Sequence, residues 1–363
     1  MTQEPIAILG GGNTAFALAA NLALRGSKVT LCELPSFAHM VEPIQANRTI
    51  ELDGVAQRGT ARLAAVTTDF AEGLAASDVA ILAIPAYGHR AFAEACAPHL
   101  RSGQIIVLTP GTLGSLEFVE VLKRHKKLDK VIVAETDTAP YVCRRVAPTA
   151  AHIWGVVSGL GLGVWPASES ERVRSRLEPL FPGVRLYPHV LACGLSSMNP
   201  VVHPAGILMN AGRIERSRGE FYFYDEGVTP SVCRVIEAVD GERLAVGAAL
   251  GCKLTDVATA FYEAGFGPQG DLWAAINGSR MLTALKAPGK LDMRWLTEDA
   301  PYGLASWAML GEQLGSPCPT MRSLVDLTGA MLGVDFWKSA RRPEQLGLAG
   351  LDRPGMLARM ERG

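Results

Sequence analysis

The sequence predicts a two-domain α/β protein in which a doubly wound parallel sheet precedes an all-α domain. Its 363 residues exceed the roughly 250–300 that one hydrophobic core usually organises. In the first half, short apolar runs alternate with stretches of helical periodicity, which is typical of βα units. Beyond residue 188 the strand-type runs stop and helical periodicity continues alone. We therefore divide the chain into residues 1–188 and 189–363.

Composition excludes several classes of partner. Hydrophobic residues make up 48% and charged residues 20% of the chain, as in ordinary globular proteins. A net charge of −1 argues against a nucleic acid or an anionic membrane as partner. The first basic residue is Arg25, so no basic secretory n-region is present and we expect a cytoplasmic protein. The longest uncharged run, Val146–Ser168, contains four glycines and two prolines, which favours strand and turn over a membrane span.

The cysteines predict neither a disulfide framework nor a metal site. They form no C-x-x-C pair and no His/Cys cluster with zinc spacing, so we expect reduced and mostly buried thiols. The seven cysteines are Cys32, Cys96, Cys143, Cys193, Cys233, Cys252 and Cys318.

A glycine turn near the N-terminus predicts a dinucleotide site of the Rossmann type. The apolar run Ile6–Leu9 leads into Gly10-Gly11-Gly12-Asn13-Thr14-Ala15, and helical periodicity follows as far as Gly26. In a G-x-G-x-x-A fingerprint the first glycine permits the turn, the second admits a pyrophosphate and the alanine packs closely on the strand. The helix N-terminus at Asn13 and Thr14 would present N–H groups to the phosphates.

The second strand carries a candidate for the adenosine ribose. Lys28–Glu33 ends in Glu33, 23 residues after Gly10, close to the spacing at which an acidic residue binds the ribose hydroxyls of NAD. Leu34-Pro35-Ser36 contains no arginine to receive a 2′-phosphate, so NAD is expected. NADP remains the alternative, because Arg48 and Arg58 are nearby in sequence.

Further parallel strands are expected at the spacing of βα units. Ligands of open α/β sheets bind at the carboxyl ends of strands, where Pro85 either turns the chain or contacts the cofactor. The predicted strands are Val79–Ile84, Ile105–Leu108, Val131–Ala134, Ile153–Val157 and a final one within Phe181–Pro188; the predicted helices between them are Gly88–His99 and Ser115–Arg124.

The second half reads as helices. Thr229-Pro230 has the pattern of an N-cap followed by a first-turn proline, and opens a long helix that ends near Gly251. Shorter helices are predicted at Thr255–Ala264, Gly270–Ile276, Tyr302–Leu314 and Thr320–Leu332.

One histidine in this half is a candidate acid/base. His203 lies between Pro200 and Pro204 in the first turn of a predicted helix, for which Asn199 is the expected N-cap. The proline rings fix the backbone on either side of the imidazole. A structural histidine near a helix end is the alternative interpretation, and the residues around His203 alone do not decide between the two.

A second polar segment could complete such a site. Asp299 either caps a helix with Pro301 in its first turn, or orients the His203 ring and stabilises its cation. Arg294 either is a surface cation, or binds a substrate carboxylate through two parallel hydrogen bonds. Spacing in sequence does not show whether these groups converge.

Several segments, in order along nearly the whole chain, resemble the opine (octopine/nopaline) dehydrogenase family. The resemblance implies NAD(P)-dependent reductive condensation of an amino acid or amine with a 2-oxo acid, and a Rossmann domain followed by a helical one. It implies that His203 and Asp299 are catalytic and that Arg294 binds the oxo-acid carboxylate. We also expect Met198 and Asn199 to bind substrate. The expected partners are small molecules, with a homodimer left open. The matching segments are Gly10–Ala15, Asn199–Pro204, Leu208–Glu215, Phe221–Val232 and Leu296–Asp299.

Two other functions remain open on the sequence. Reductases that resemble ketopantoate reductase or glycerol-3-phosphate dehydrogenase usually employ a lysine on the helical domain, for which Lys253, Lys286 and Lys290 are the candidates. A protein that binds NAD without catalysis would share the fold. Dependence of NADH oxidation on an added amine distinguishes the three.

Overall fold

The computed structural model describes residues 4–127 and 131–362, which form two compact units. The described residues up to Gly194 and from Met360 onward make the first unit, and Leu195–Arg359 make the second. The predicted division after residue 188 lies six residues before Gly194.

The elements are numbered in chain order. The strands are β1 (Pro5–Leu9), β2 (Lys28–Cys32), β3 (Thr49–Gly54), β4 (Gly59–Arg62), β5 (Ala65–Thr67), β6 (Val79–Leu82), β7 (Ile105–Leu108), β8 (Ile132–Thr136), β9 (Tyr141–Ala147), β10 (Ala150–Val156), β11 (Gly161–Trp165) and β12 (Arg185–Leu186). The α-helices are α1 (Asn13–Leu24), α2 (Glu42–Gln45), α3 (Phe70–Ala75), α4 (His89–Cys96), α5 (Gly114–Arg124), α6 (Ser170–Leu177), α7 (Val190–Gly194), α8 (Asn199–Met209), α9 (Ala211–Ser217), α10 (Pro230–Ala249), α11 (Val257–Glu263), α12 (Leu272–Asn277), α13 (Arg294–Thr297), α14 (Ser306–Gln313), α15 (Pro319–Leu332), α16 (Phe336–Ser339) and α17 (Arg353–Arg362). Short 3₁₀ helices are Pro35–Met40, Ala86–Gly88, Ala97–His99 and Ala167–Glu169, and two π-helices are Phe223–Gly227 and Asp299–Ala305.

An eight-stranded sheet organises the first unit, with the strand order β12-β11-β8-β7-β6-β1-β2-β5. The six strands from β5 to β8 are parallel, and β11 then pairs antiparallel to β8. All residues of β6, β7 and β8 are buried, as expected for strands covered on both faces. The predicted doubly wound parallel sheet and the helical second half are confirmed.

A second sheet, which the sequence did not predict, has the order β4-β3-β10-β9. Helix α1 packs against strands of both sheets, and Ala15–Leu22 are all buried. This contact explains why α1 is apolar all round rather than along one stripe. The N-terminal helix therefore joins two sheets instead of covering one.

The sequence predicted Ile153–Val157 as a parallel strand of the main sheet, and this assignment was wrong. The corresponding strand, β10, belongs to the second sheet, where it pairs antiparallel with β9 and parallel with β3. Its Trp154 is 46% exposed, so one face of the strand is open to solvent. A half-exposed strand of this kind shows the same β-type composition as a buried one over a short run.

Two other strand predictions were longer than the observed elements. The segment Phe181–Pro188 contributes only Arg185–Leu186, which pairs with β11 at the edge of the main sheet. Prolines at both ends of the segment remove ladder donors and limit it to an edge. The strand expected at Val79–Ile84 ends at Leu82.

Helix α8 lies at the centre of the second unit, where it contacts α10, α13, α15 and the second π-helix. A buried ion pair stabilises this unit beside it. The fully buried Arg243 binds Asp240 on the same helix and donates to the carbonyls of Leu195 and Thr255. Because the guanidinium and carboxylate meet several partners, burial of these charges is compensated. Among the described residues, no helix is both long and apolar enough to cross a bilayer.

Candidate active site

The glycine turn lies where the order of the parallel strands reverses. Strand β1 pairs with β2 on one side and β6 on the other, and open α/β sheets bind ligands at the carboxyl ends of strands beside such a reversal. Gly10 has a φ of +118°, and a β-carbon there would lie 2.5 Å from Cγ2 of Ile84. Only glycine fits this position. Pro85 follows Ile84 and begins the turn after β6.

The N-terminus of α1 has the form that a phosphate site requires. Helix α1 begins at Asn13, and a β-carbon on Gly12 would meet nothing within 4 Å, so the backbone is open to a ligand there. The side chain of Asn13 accepts a hydrogen bond from the Arg145 N–H at 3.0 Å, and the Thr14 hydroxyl bonds the Cys143 thiol. Strand β9 thus holds the first turn of the helix.

Glu33, the candidate for the ribose, lies against the glycine turn at Gly11. It is 5% exposed, and its carboxylate accepts hydrogen bonds from the N–H groups of Leu34, at 2.7 Å, and Gly11. Burial raises the pKa of this carboxyl, and the two N–H donors oppose the rise. The ribose-binding role remains a prediction, but the carboxylate is in place for it.

Arg145 is the arginine beside the glycine turn, and sequence reasoning missed it. Its Nη1 lies 2.6 Å from the Met40 carbonyl and 3.3 Å from that of Gly11. Arg48 and Arg58, which had kept NADP open, instead bind the carbonyls of Ala64 and Gly54. No local signal identifies Arg145, because it is more than a hundred residues away from the fingerprint.

The second group of candidate residues is organised around His203. His203 is the fifth residue of α8, and its Nδ1 lies 2.7 Å from Oδ2 of Asp299. The predicted hydrogen bond between these residues, 96 positions apart, is present and buried, with the two residues 8% and 9% exposed. The expectation for Asn199 was wrong: it is the first helical residue, and Met198 takes the N-cap position without a side-chain bond.

Asp299 reaches His203 from the second π-helix. A β-carbon on Gly303 would lie 2.3 Å from Cβ of Pro200, so this π-helix packs directly on the first turn of α8. Any larger residue would push the two segments apart. Asp299 therefore does not cap an α-helix, and of its two expected roles the structure favours contact with His203. π-Helical turns are rare and occur frequently at functional sites.

The first π-helix brings a tyrosine to the other ring nitrogen. The hydroxyl of Tyr224 lies 3.3 Å from Nε2 of His203, and the residue is buried. Neighbouring Phe223 packs on α8 at Gly206, where a β-carbon would lie 2.6 Å from the phenyl ring. Both ring nitrogens of the histidine therefore have a side-chain partner.

Trp295 covers one face of the same imidazole. The rings are stacked, with centroids 4.3 Å apart and planes 5° from parallel. Phe223 meets the indole edge-on at 4.9 Å and fixes its orientation. The stack therefore holds the plane of the imidazole in one orientation.

Arg294 precedes Trp295 and is about half exposed. Its Nε lies 2.5 Å from Oε2 of Glu298, one helical turn later. Both residues act on Asp299: the guanidinium lowers the pKa of this carboxyl and Glu298 raises it. Arg294 therefore lies near the His203 pair. The other predicted substrate residues differ in exposure, since Met198 is half-buried and Asn199 is exposed.

Burial dominates the electrostatics of this group. It raises the pKa of Asp299 above the usual value for a carboxyl, while the hydrogen bond from His203 opposes the shift. It also raises the pKa of the Tyr224 phenol, with the charge of Asp299 adding to the effect. The phenol thus stays protonated at physiological pH.

The three lysines that were candidates for a related reductase differ from His203 in burial. Lys253, Lys286 and Lys290 are all exposed, and Lys286 pairs with Glu220 at 2.8 Å.

Six of the seven cysteines are buried and Cys143 is half-buried, with no disulfide among them. Within residues 4–127 and 131–362, no three His, Cys, Asp or Glu side chains are grouped to hold a metal ion.

The two halves of the chain match different protein-family models. A family model described as NAD-dependent glycerol-3-phosphate dehydrogenase N-terminus matches residues 5–147. A second, described as NAD/NADP octopine/nopaline dehydrogenase, alpha-helical domain, matches residues 186–332, which include His203 and Asp299. The opine dehydrogenase of Arthrobacter sp. (strain 1C) is 31% identical over 360 residues, 99% of each chain. The chain belongs to the opine dehydrogenase family.

It is thus an NAD(P)-dependent oxidoreductase that acts on CH–NH bonds and reductively condenses an amino acid with a 2-oxo acid. Two solved structures share its fold. An octopine dehydrogenase in complex with NADH and agmatine aligns with a TM-score of 0.79, at 21% identity over 98% of each chain. A yersinopine dehydrogenase with NADP⁺ bound aligns with a TM-score of 0.77, at 17% identity over 99% of this chain and 98% of the other.

Asp299→Asn is expected to separate stability from activity. Because the folded-state pKa of Asp299 is raised, the folded protein holds this proton more tightly than the unfolded chain, and ionisation costs stability above the raised pKa. The amide removes that cost. Thermal melts near neutral pH should show a Tm equal to or above that of the parent, with the difference lost below about pH 4. Turnover should fall about 10²–10⁴-fold, since the amide can impose the wrong tautomer.

Asp292→Asn is the control, because this carboxylate is exposed and close in sequence. It should leave both Tm and turnover near the parent values. A strongly destabilised Asp299→Asn protein at neutral pH would show that the carboxylate is a net stabilising group.

Proposed function

We propose that His203 is the acid/base of the reductive condensation, with Asp299 as its partner and Arg294 as the binding group for the oxo-acid carboxylate. The observation that carries this proposal is the buried hydrogen bond of 2.7 Å between Nδ1 of His203 and Asp299. An ionised carboxylate only accepts hydrogen bonds, so it places a proton on Nδ1 and leaves Nε2 as the basic nitrogen.

The glycine-turn residues fit a dinucleotide. Gly10 permits the turn, Gly12 leaves the backbone open to a pyrophosphate, and Ala15 packs without exposure on the sheet. We assign Asn13 and Thr14 at the N-terminus of α1, Pro85 after β6 and Glu33 to the same site. The bound dinucleotide supplies the hydride that reduces the imine carbon.

His203 handles the protons of the condensation. Attack of the amine on the oxo acid gives a carbinolamine, whose hydroxyl must accept a proton to leave as water. The resulting imine accepts a hydride far more readily when it is protonated. An imidazole can both donate and accept a proton, so a histidine whose tautomer is held by a carboxylate suits both steps.

Arg294 would hold the oxo acid beside this pair. The guanidinium is planar and matches a carboxylate with two parallel hydrogen bonds. Its contact with Glu298 fixes the Nε edge, and the side chain is 54% exposed, so a solute can approach it. We place Met198 and Asn199, which begin α8 four to five residues before His203, in the same substrate region.

The amine donor is an amino acid or an amine. The structurally similar octopine dehydrogenase holds agmatine together with NADH, which supports a primary amine as the second substrate. NADH oxidation with a 2-oxo acid should therefore require an added amine. Turnover of the oxo acid alone, at an undiminished rate, would indicate a simple 2-oxo acid reductase.

Replacing His203 tests the acid/base role. His203→Ala should keep NADH binding, because the glycine turn lies elsewhere in the chain, and lose about 10²–10⁴-fold in kcat. Steady-state assays with an amine panel and fluorescence titration of NADH measure the two effects. His125→Ala, which removes an exposed histidine, should behave like the parent. A fully active His203→Ala enzyme would end the proposal.

Arg294→Lys tests the carboxylate clamp. A point charge replaces a two-pronged donor, so KM for the oxo acid should rise about tenfold or more while NADH affinity stays near normal. The exposed Arg280 offers a control for loss of a guanidinium, as Arg280→Lys. Unchanged oxo-acid kinetics in Arg294→Lys would mean that Arg294 serves only its pair with Glu298.

Glu33→Gln tests the cofactor preference. The parent should bind NADH more tightly than NADPH, because the carboxylate repels a 2′-phosphate. The amide keeps the size of the side chain and removes its charge, so the ratio of the two Kd values should narrow by about tenfold. Glu51→Gln on the exposed face of β3 is the control. Equal affinities in the parent, unaltered by Glu33→Gln, would contradict the assignment.

A further inference from the structure

We infer that Tyr224 is a positioning residue for the reaction, whose hydroxyl holds Nε2 of His203 in either protonation state of the ring before and after proton transfer, and yields Nε2 to the substrate while the proton is exchanged. The inference rests on the proposed role of His203 and extends it to a residue outside the predicted catalytic pair. It starts from one distance, 3.3 Å between the phenol oxygen and Nε2.

The contact of Nδ1 with Asp299 decides which group donates in the contact between Nε2 and the Tyr224 hydroxyl. Asp299 accepts from Nδ1, so Nε2 carries no proton in the neutral imidazole and must itself accept. Burial raises the pKa of the Tyr224 phenol, which therefore keeps its proton. Tyr224 thus donates to Nε2 when His203 is neutral.

The same hydroxyl suits the protonated ring. When Nε2 takes up a proton it becomes a donor, and the phenol oxygen can turn and accept, since a hydroxyl has both a proton and lone pairs. A carboxylate would only accept and an ammonium would only donate. A group that must gain and lose a proton in each turnover needs a partner that serves both states.

The surroundings make this partner specific. Tyr224 is 5% exposed, and loss of its hydroxyl would remove a buried hydrogen-bond partner of Nε2. Its ring packs edge-on against Phe223 at 5.0 Å and tilts against Trp295 at 6.4 Å. These contacts belong to the ring and survive replacement by phenylalanine. Tyr224→Phe therefore removes one hydrogen bond and little else.

Steady-state kinetics give the first test. Tyr224→Phe should lower kcat about 10- to 100-fold, the range expected for loss of a hydrogen bond to a group that becomes charged, with KM for both substrates within about twofold of the parent. Tyr222→Phe is the matched control, because Tyr222 is 42% exposed and lies two residues before Tyr224. It should match the parent. A fully active Tyr224→Phe enzyme, or an effect on KM alone, would overturn the inference.

Nitrogen NMR of the imidazole gives a second test that does not depend on turnover. In the parent at alkaline pH, His203 should show a protonated Nδ1 and an unprotonated Nε2 displaced upfield by an accepted hydrogen bond. Tyr224→Phe should move the Nε2 resonance downfield and leave Nδ1 protonated by the Asp299 contact. The resonances are assigned by their absence in His203→Ala.

The two tests separate the possible failures. An Nε2 resonance that does not move in Tyr224→Phe refutes the role of Tyr224 while the proposed role of His203 stands. A fully active His203→Ala enzyme refutes the acid/base role, whatever the resonance shows. A parent spectrum with the proton on Nε2 would contradict the donor assignment itself.

Discussion

The hydrogen bond between His203 and Asp299 is the interaction on which the candidate catalytic group depends. It sets the tautomer of the imidazole, and the roles proposed for Nε2 and for Tyr224 follow from that choice. To form it, two segments 96 residues apart must come within direct contact of each other. The chain achieves this with a π-helix that packs on α8 at Gly303, where a side chain would collide with Pro200. Close backbone approach, rather than side-chain length, brings the carboxylate to the ring.

The arrangement has a cost that structural stability alone would not justify. Asp299, His203 and Tyr224 are all buried, and burial raises the pKa of Asp299 and so disfavours the ionised carboxylate that sets the tautomer of the ring. The flanking π-helices replace regular α-helical turns at both contacts. Features of this kind persist where function maintains them against a more stable alternative. The aromatic contacts of Trp295 and Phe223 fix the orientation of the imidazole.

The two units contribute different kinds of information about function. The first has the glycine turn and strand order of many dinucleotide-binding proteins, and its family match is to the N-terminal part of another dehydrogenase. The second contains His203, Asp299 and Arg294 and matches the octopine/nopaline dehydrogenase helical domain. The first unit therefore has a widely shared scaffold, whereas the residues proposed for catalysis lie in the helical unit. The three lysines that were candidates for a related reductase are all exposed, whereas His203 and Asp299 are buried.

Local patterns in the sequence determined the architecture and the central residues of the site. The glycine fingerprint, the acidic end of β2 and the prolines around His203 each act within a few residues, so each can be recognised without the fold. The sequence left the role of Asp299 open. It did not indicate Arg145 or Trp295 as members of either site, or Tyr224 as a partner of the His203 ring. Their positions depend on packing between distant segments. Asp299 and Tyr224 also lie in π-helices, and a regular helical periodicity does not predict where a π-helix forms. The same limit applies to β10, whose composition predicted a strand but whose partners were decided by the hairpin with β9 and by contact with α1.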